Sequence, residues 1–307
     1  MNDETIESPP FPYARFDYPL APATLYNIGG PARIALLPRD AEEVDEAWRW
    51  MVAQPMPRLI LGGGSNVLIS DNGFPGIVLF TTHLTQMEEL GDGRYRVGSG
   101  VPLAKLVREV MLPNNYGGVG ALTGIPGSVG GAIYMNAGTA NGSTCDFLES
   151  VDLMSLEGLR SLSMEPSLYS YRGQRFCGID DVILGGVFRF TPVEENQRPV
   201  FDHYMLRRRE KQPQGHCCGS VFKNPPNDHA GRLIEACGLK GKRHGGAQVS
   251  PRHANFIVNT GSATCADVLA LMRAMFDEVK ARFSVALMPE VKLIGEFEEA
   301  ELPWLAA

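Results

Sequence analysis

Two glycine-rich runs constrain this chain more than any other feature of its sequence. They are L-G-G-G-S-N at Leu61 to Asn66, and G-I-P-G-S-V-G-G-A at Gly124 to Ala132, which continues into Met135-Asn136-Ala137-Gly138. Glycine tolerates left-handed backbone and lets the main chain come close to a ligand. Successive N–H groups in such loops form concave sites for phosphate. Neither run is a Rossmann fingerprint, because Val67 stands where the third glycine of G-x-G-x-x-G would fall. Neither is a P-loop, since no Gly-Lys-Ser/Thr follows. Either run alone reads more readily as a tight turn than as a phosphate cradle. Together they point to a dinucleotide held by loops rather than by a helix N-terminus, and spacing carries the reading no further.

The 307 residues suggest about two domains at roughly 150 residues each. With 44% apolar and 21% charged residues the chain has the make-up of a globular protein, not a disordered or fibrous one. Its net charge of −7 argues against nonspecific binding to nucleic acid or to a membrane surface. The acidic start Met1-Asn2-Asp3-Glu4 lacks a signal-peptide pattern, and no apolar run is long enough to span a bilayer. The six cysteines form no C-x-x-C pair and the histidines show no metal spacing, so we expect reduced thiols, no metal and a cytoplasmic location.

Periodicity places a proline-rich irregular arm over residues 1–22. A helix follows over 40–53, capped by Asp40, with Val44, Ala47, Trp48 and Met51 on one face. Short strands are expected at Arg58 to Leu61, Gly76 to Phe80 and Arg94 to Gly98, and a helix from Pro102 to Met111. Strands at 150–156 and 182–190 precede a polar break at Gln197 to Pro199, read as a domain boundary. Beyond it come helices over 201–210 and 231–237, a strand over 256–259, an amphipathic helix capped by Thr264, and a strand over 290–297.

The motifs in their order then resemble a known family. T-L-Y-N-I-G-G-P-A at Thr24 to Ala32, the two glycine runs and M-N-A-G are similar to an FAD-binding domain of the vanillyl-alcohol oxidase/p-cresol methylhydroxylase type. Lys211-Gln212-Pro213, G-S-V-F-K-N-P at Gly219 to Pro225, A-G-x-L-I-E from Ala230, H-A-N-F-I from His253 and Pro289-Glu290-Val291 narrow the resemblance to the UDP-N-acetylenolpyruvoylglucosamine reductase family, in its shorter form. The likeness covers roughly residues 24–297. It implies an α+β fold: an FAD-binding domain over 23–196 in two subdomains split near 85–90, and a smaller α+β substrate-binding domain over 197–307.

The activity implied is NADPH-dependent reduction of UDP-N-acetylglucosamine enolpyruvate to UDP-N-acetylmuramate through FAD, in peptidoglycan precursor synthesis. Hydride would pass from flavin N5 to C3, and a proton from Ser220 to C2. Arg172 would polarise the substrate carboxylate, with Arg175 as fallback, and Glu290 would help stabilise the enolate-like intermediate with its own pKa raised. Cofactor contacts would come from Gly29, Gly30, Leu61, Gly62, Gly63, Gly64, Ser65, Asn66, Gly124, Pro126, Gly127, Ser128, Gly130, Gly131, Ala132, Asn136 and Gly138. Tyr171, Lys211 and Asn224 would contact substrate. The family's Y-R-x-S-x-F departs here to Y-R-G-Q-R-F, with Gln174 in place of the serine. That puts in question how the loop holds Arg172. A monomer or weak oligomer is expected. Two other readings remain: another FAD-dependent oxidase of the same fold acting on an alcohol or sugar, and a non-catalytic nucleotide-sugar binding protein. The oxidase reading leaves the K-Q-P, G-S-V-F-K-N-P and P-E-V motifs without a role.

Overall fold

The computed structural model describes residues 8–298 and 302–306. The chain forms two compact units, and neither is a single run of sequence. One comprises residues up to Asp17, Arg33–Gly63 and Gly76–Met205. The other comprises Tyr18–Ala32, Gly64–Pro75 and the chain from Leu206 onward. A linear cut at 197 therefore misplaces two excursions of the N-terminal half.

The first unit contains two sheets. A four-stranded sheet runs in the order Ala14–Pro19, Pro31–Leu36, Phe74–Phe80, Arg58–Leu61. The helix Ala41–Val52 packs Val44, Ala47, Trp48 and Met51 into a core with Ile34, Leu36, Ile77 and Leu79. Its start is fixed as expected: the Asp40 carboxylate accepts the Glu43 N–H at 2.9 Å. The second sheet, all antiparallel, orders Gly158–Ser163, Leu148–Ser155, Val182–Arg189, Arg94–Gly98 and Met87–Gly91. It encloses Val97, Leu106, Val119, Ile133, Val151 and Phe188. The expected helix after Pro102 forms, but over Leu106–Met111 it widens to π geometry, with Leu112 N–H reaching back to Val107 O at 3.0 Å.

Within the second unit a three-stranded sheet (Arg243–His244, Ala247–Val249, Ile257–Asn259) and the helices Ala230–Ala236 and Cys265–Phe283 surround Leu233, Ile234, Val249, Met272 and Phe276. Tyr26, Ile28 and Leu68 belong to that same core. Val67–Ile69 pairs in parallel with Lys292–Ile294. These contacts are what draw the two N-terminal excursions into this unit.

Three expectations need correction. The arm is not irregular throughout: three of its five prolines lie before residue 13, and Ala14–Pro19 is free to form an edge strand with Pro19 at its end. Residues 1–7 of that arm lie outside the described residues. The polar break at Gln197 is the first turn of the helix Gln197–Lys211, where Pro199 needs no N–H partner. The last strand is only Lys292–Ile294, stopped by Gly295 at φ +112°. Among the described residues no helix is long and apolar enough to cross a membrane.

Candidate active site

In the first unit the two glycine runs touch. The Gly63 N–H donates to Ser128 Oγ at 3.3 Å, and a Cβ on Gly63 would lie 3.1 Å from both Gly127 Cα and Ser128 N. A Cβ on Gly62 would lie 2.6 Å from Ser128 Oγ. Ser128 also caps the helix Val129–Tyr134, accepting from Gly131 N–H, while Gly124 and Gly127 take left-handed φ values. Gly130 lies against Ser99, whose fully buried hydroxyl has no hydrogen-bond partner among the described residues. A cradle of bare backbone beside an unsatisfied buried hydroxyl fits a polar dinucleotide bound through loops, as FAD would be. Leu61 is buried, with its carbonyl accepting from Thr81 N–H at 3.0 Å.

In the second unit Gly29, Gly30 and Gly64 are packed against the chain as closely. A Cβ on Gly30 would lie 2.4 Å from Asp71 O, and one on Gly64 would lie 2.0 Å from Ala23 O. Gly29, at φ +129°, packs on Ile69. At these positions the close neighbour is the protein's own chain. Asn66 donates its side-chain N–H to Glu290 O at 3.0 Å, and its own carbonyl accepts from Lys292 N–H at 2.9 Å.

Ser220 and Glu290, 70 positions apart in sequence, are neighbours in this unit. Glu290 N–H donates to Val221 O at 2.9 Å and Lys223 N–H to Met288 O at 2.8 Å, so the Ser220 segment lies along the Glu290 segment. Asn66 grips Glu290 from its other side. Asn255 fixes the Ser220 segment further: its carbonyl accepts from Val221 N–H, its Oδ1 from Phe222 N–H, and its Nδ2 donates to Phe222 O at 2.8 Å. Val221 and Phe222 are fully buried. Ser220 thus follows left-handed Gly219 and enters a clamped segment. The H-A-N-F-I motif carries this asparagine, but nothing local in the sequence gives it a task.

Arg172 lies in the first unit, at the tip of the hairpin Tyr169–Ser170/Gly173–Gln174. Its guanidinium donates to Gly138 O at 2.9 Å and lies over the Tyr171 ring, 5.3 Å from the centroid. Gln174 answers the question raised by the missing serine. Its Oε1 accepts from the N–H groups of Phe176 and Cys177, and its Nε2 donates to Cys177 O at 2.9 Å. The longer amide binds the following turn. Arg175 is exposed and donates to Ser167 O, away from any such framework.

Lys211 ends an exposed helix turn beside Arg208 and Arg209. Asn224 Oδ1 accepts from Ala230 N–H at 3.1 Å, leaving its amide N–H pair as the part able to meet a ligand. All six cysteines are free, and the Cys218 thiol donates to Val67 O. Among the described residues no cluster of His, Cys, Asp and Glu could hold a metal.

Residues 32–160 match the family described as FAD binding domain, and residues 211–294 match UDP-N-acetylenolpyruvoylglucosamine reductase, C-terminal domain. The chain is 39% identical to the UDP-N-acetylenolpyruvoylglucosamine reductase of Synechococcus elongatus, with 92% of this chain and 94% of that one covered. It is 40% identical to that of Parasynechococcus marenigrum, over 93% and 97%. A crystal structure of UDP-N-acetylenolpyruvylglucosamine reductase from Thermus caldophilus superposes with TM-score 0.76 at 32% identity, covering 92% of this chain and 98% of that one. The C-terminal match takes up the motifs that an oxidase reading leaves idle.

Proposed function

The chain belongs to the UDP-N-acetylenolpyruvoylglucosamine reductase family, and from that premise we propose how its own residues carry out the reduction. It is an FAD- and NADPH-dependent oxidoreductase that converts UDP-N-acetylglucosamine enolpyruvate to UDP-N-acetylmuramate, a peptidoglycan precursor. FAD, when bound, supplies a hydride carrier between NADPH and the enolpyruvyl double bond. The backbone of Gly62, Gly63, Gly127, Ser128 and Gly130 would hold it, with the Ser99 hydroxyl available as a donor.

As C3 gains hydride, negative charge spreads from C2 into the substrate carboxylate. Arg172 meets that charge with a planar guanidinium suited to a carboxylate. Ser220 delivers a proton to C2, and the clamp on Val221 and Phe222 fixes where its hydroxyl can point. Alignment matters because a serine hydroxyl is a weak acid. Glu290, pinned by its main chain on either side, helps stabilise the enolate-like charge. Lys211 and the Asn224 amide contact the diphosphate and sugar. We place the reaction in the cytoplasm, in a monomer or weak oligomer, supplying wall growth for cell shape and division.

The observation that supports this most is the pairing of the Ser220 and Glu290 segments. Ser220→Ala tests it: reduction of bound flavin by NADPH should stay near normal, while reoxidation by the enolpyruvyl substrate slows by about 10²–10⁴. An equal fall in both half-reactions would remove Ser220 from the proton-donor role.

A further inference from the structure

Arg172 is an arginine in left-handed backbone, at φ +53°. Such a conformation is unfavourable for any side chain with a Cβ and persists only where its surroundings impose it. Two of the bonds that hold this hairpin come from one residue. Asn136, 3% exposed and itself left-handed at φ +41°, donates from Nδ2 to Ser170 O at 2.9 Å. Its Oδ1 accepts from the buried Cys145 N–H at 3.0 Å. Its own carbonyl accepts from the Arg172 guanidinium at 3.5 Å, beside the shorter bond to Gly138 O.

Asn136 therefore grips the Arg172 hairpin twice. Its side chain holds the residue at the base of the two-residue tip, and its main chain holds the guanidinium. Asparagine suits the position, because its short amide tolerates left-handed backbone while offering a donor and an acceptor at once. The far end of the hairpin is set separately, by the three bonds of Gln174. The amide thus spends one donor and one acceptor on the chain around the hairpin.

We propose that Asn136 is the positioning residue for Arg172, fixing the angle at which the guanidinium meets the substrate carboxylate. The proposal rests on Arg172 being the carboxylate partner, and the test separates the two. Asn136→Asp keeps the acceptor for Cys145 N–H but sets an oxygen against Ser170 O. Asn136→Gly keeps the left-handed backbone and removes both side-chain bonds. Each is compared with Arg172→Ala for FAD content, thermal midpoint, anaerobic flavin reduction by NADPH, and reoxidation by saturating UDP-N-acetylglucosamine enolpyruvate.

Both Asn136 variants should retain stoichiometric FAD and be reduced by NADPH within about twofold of the parent. Reoxidation by substrate should slow about 10- to 100-fold, the scale of a misplaced catalytic group. Arg172→Ala should slow the same half-reaction at least as much. If Arg172→Ala slows it and neither Asn136 variant does, the positioning role is wrong and the reading of Arg172 stands. If Arg172→Ala leaves it unchanged, the reading of Arg172 falls and takes the proposal with it. Loss of FAD from both Asn136 variants, or equal slowing of both half-reactions, would make Asn136 a structural residue and overturn the proposal.

Discussion

Replacing Gly64 with alanine asks the loop for space it does not have. Gly64 sits at φ +58°, and a Cβ there would lie 2.0 Å from Ala23 O, 2.9 Å from Thr24 Cα and 3.0 Å from Ala23 C. Left-handed backbone costs an L-residue roughly 1–2 kcal/mol. The clash is with main chain, so relief requires moving a backbone segment, which adds about 1–3 kcal/mol. The Leu25 N–H bond to Gly64 O, now 3.0 Å, goes with that movement. It contributes about 0.5–1.5 kcal/mol more. Together these reach about 2.5–6.5 kcal/mol, a large part of the 5–15 kcal/mol that holds a typical domain folded. Gly238 is the control in the same unit: it is left-handed at φ +73° with nothing within 4 Å of an added Cβ. Gly238→Ala should therefore cost only the conformational part, about 1–2 kcal/mol. Urea unfolding of both variants, at unchanged m, measures the difference. If Gly64→Ala unfolds at the same urea concentration as Gly238→Ala, the packing of this loop on Ala23 and Thr24 is not as described.

Asp267 gives a pH signature. Burial pushes its carboxyl up, but N–H donors from Thr264 and Gly246 outweigh this and hold its pKa below the usual value. A depressed folded pKa stabilises above the unfolded pKa, near about 4, and that stability disappears as pH falls through the folded value. Asp267→Asn should cost about 0.5–2 kcal/mol at pH 7 by weakening the capping box, and the gap to the parent in urea melts should close below pH 4. A gap that persists in acid would contradict it. The thiols should be inert: burial holds Cys145 and Cys177 at about 12 and raises Cys217 and Cys218. Iodoacetamide at neutral pH should label Cys145 and Cys177 about a thousandfold more slowly than an ordinary thiol until the protein unfolds. Rapid labelling with retained fold would show a reactive site where burial forbids one.

Local patterns in the sequence carry much of the architecture. Asp40 and Thr264 begin helices where their capping geometry says they should, and the apolar faces of both helices are buried. The division into units was not legible, because it depends on Val67–Ile69 finding a parallel partner at Lys292–Ile294, more than two hundred residues away. No periodicity marks which strands will meet. The same limit hid the reason for several glycines. Gly30 and Gly64 look like ligand-facing positions in sequence, yet their missing side chains make room for Asp71 and Ala23. Asn136 reads as one of the cofactor contacts, and Asn255 as a motif asparagine without a task. Only the fold makes clear that one braces the Arg172 hairpin and the other clamps the segment behind Ser220.

In the proposed reduction hydride passes from NADPH through FAD to an enolpyruvyl ether, whereas an oxidase of this fold would take hydride from an alcohol and pass it to oxygen. Purified protein, saturated with FAD and made anaerobic, is bleached with one equivalent of NADPH and then mixed with UDP-N-acetylglucosamine enolpyruvate while the flavin absorbance is followed. The oxidised spectrum should return in full, with one equivalent of substrate consumed and UDP-N-acetylmuramate formed. A flavin that stays bleached with this substrate yet recovers on admitting air would contradict the account and favour an oxidase of the same fold, and a protein that takes up no FAD at all would contradict both.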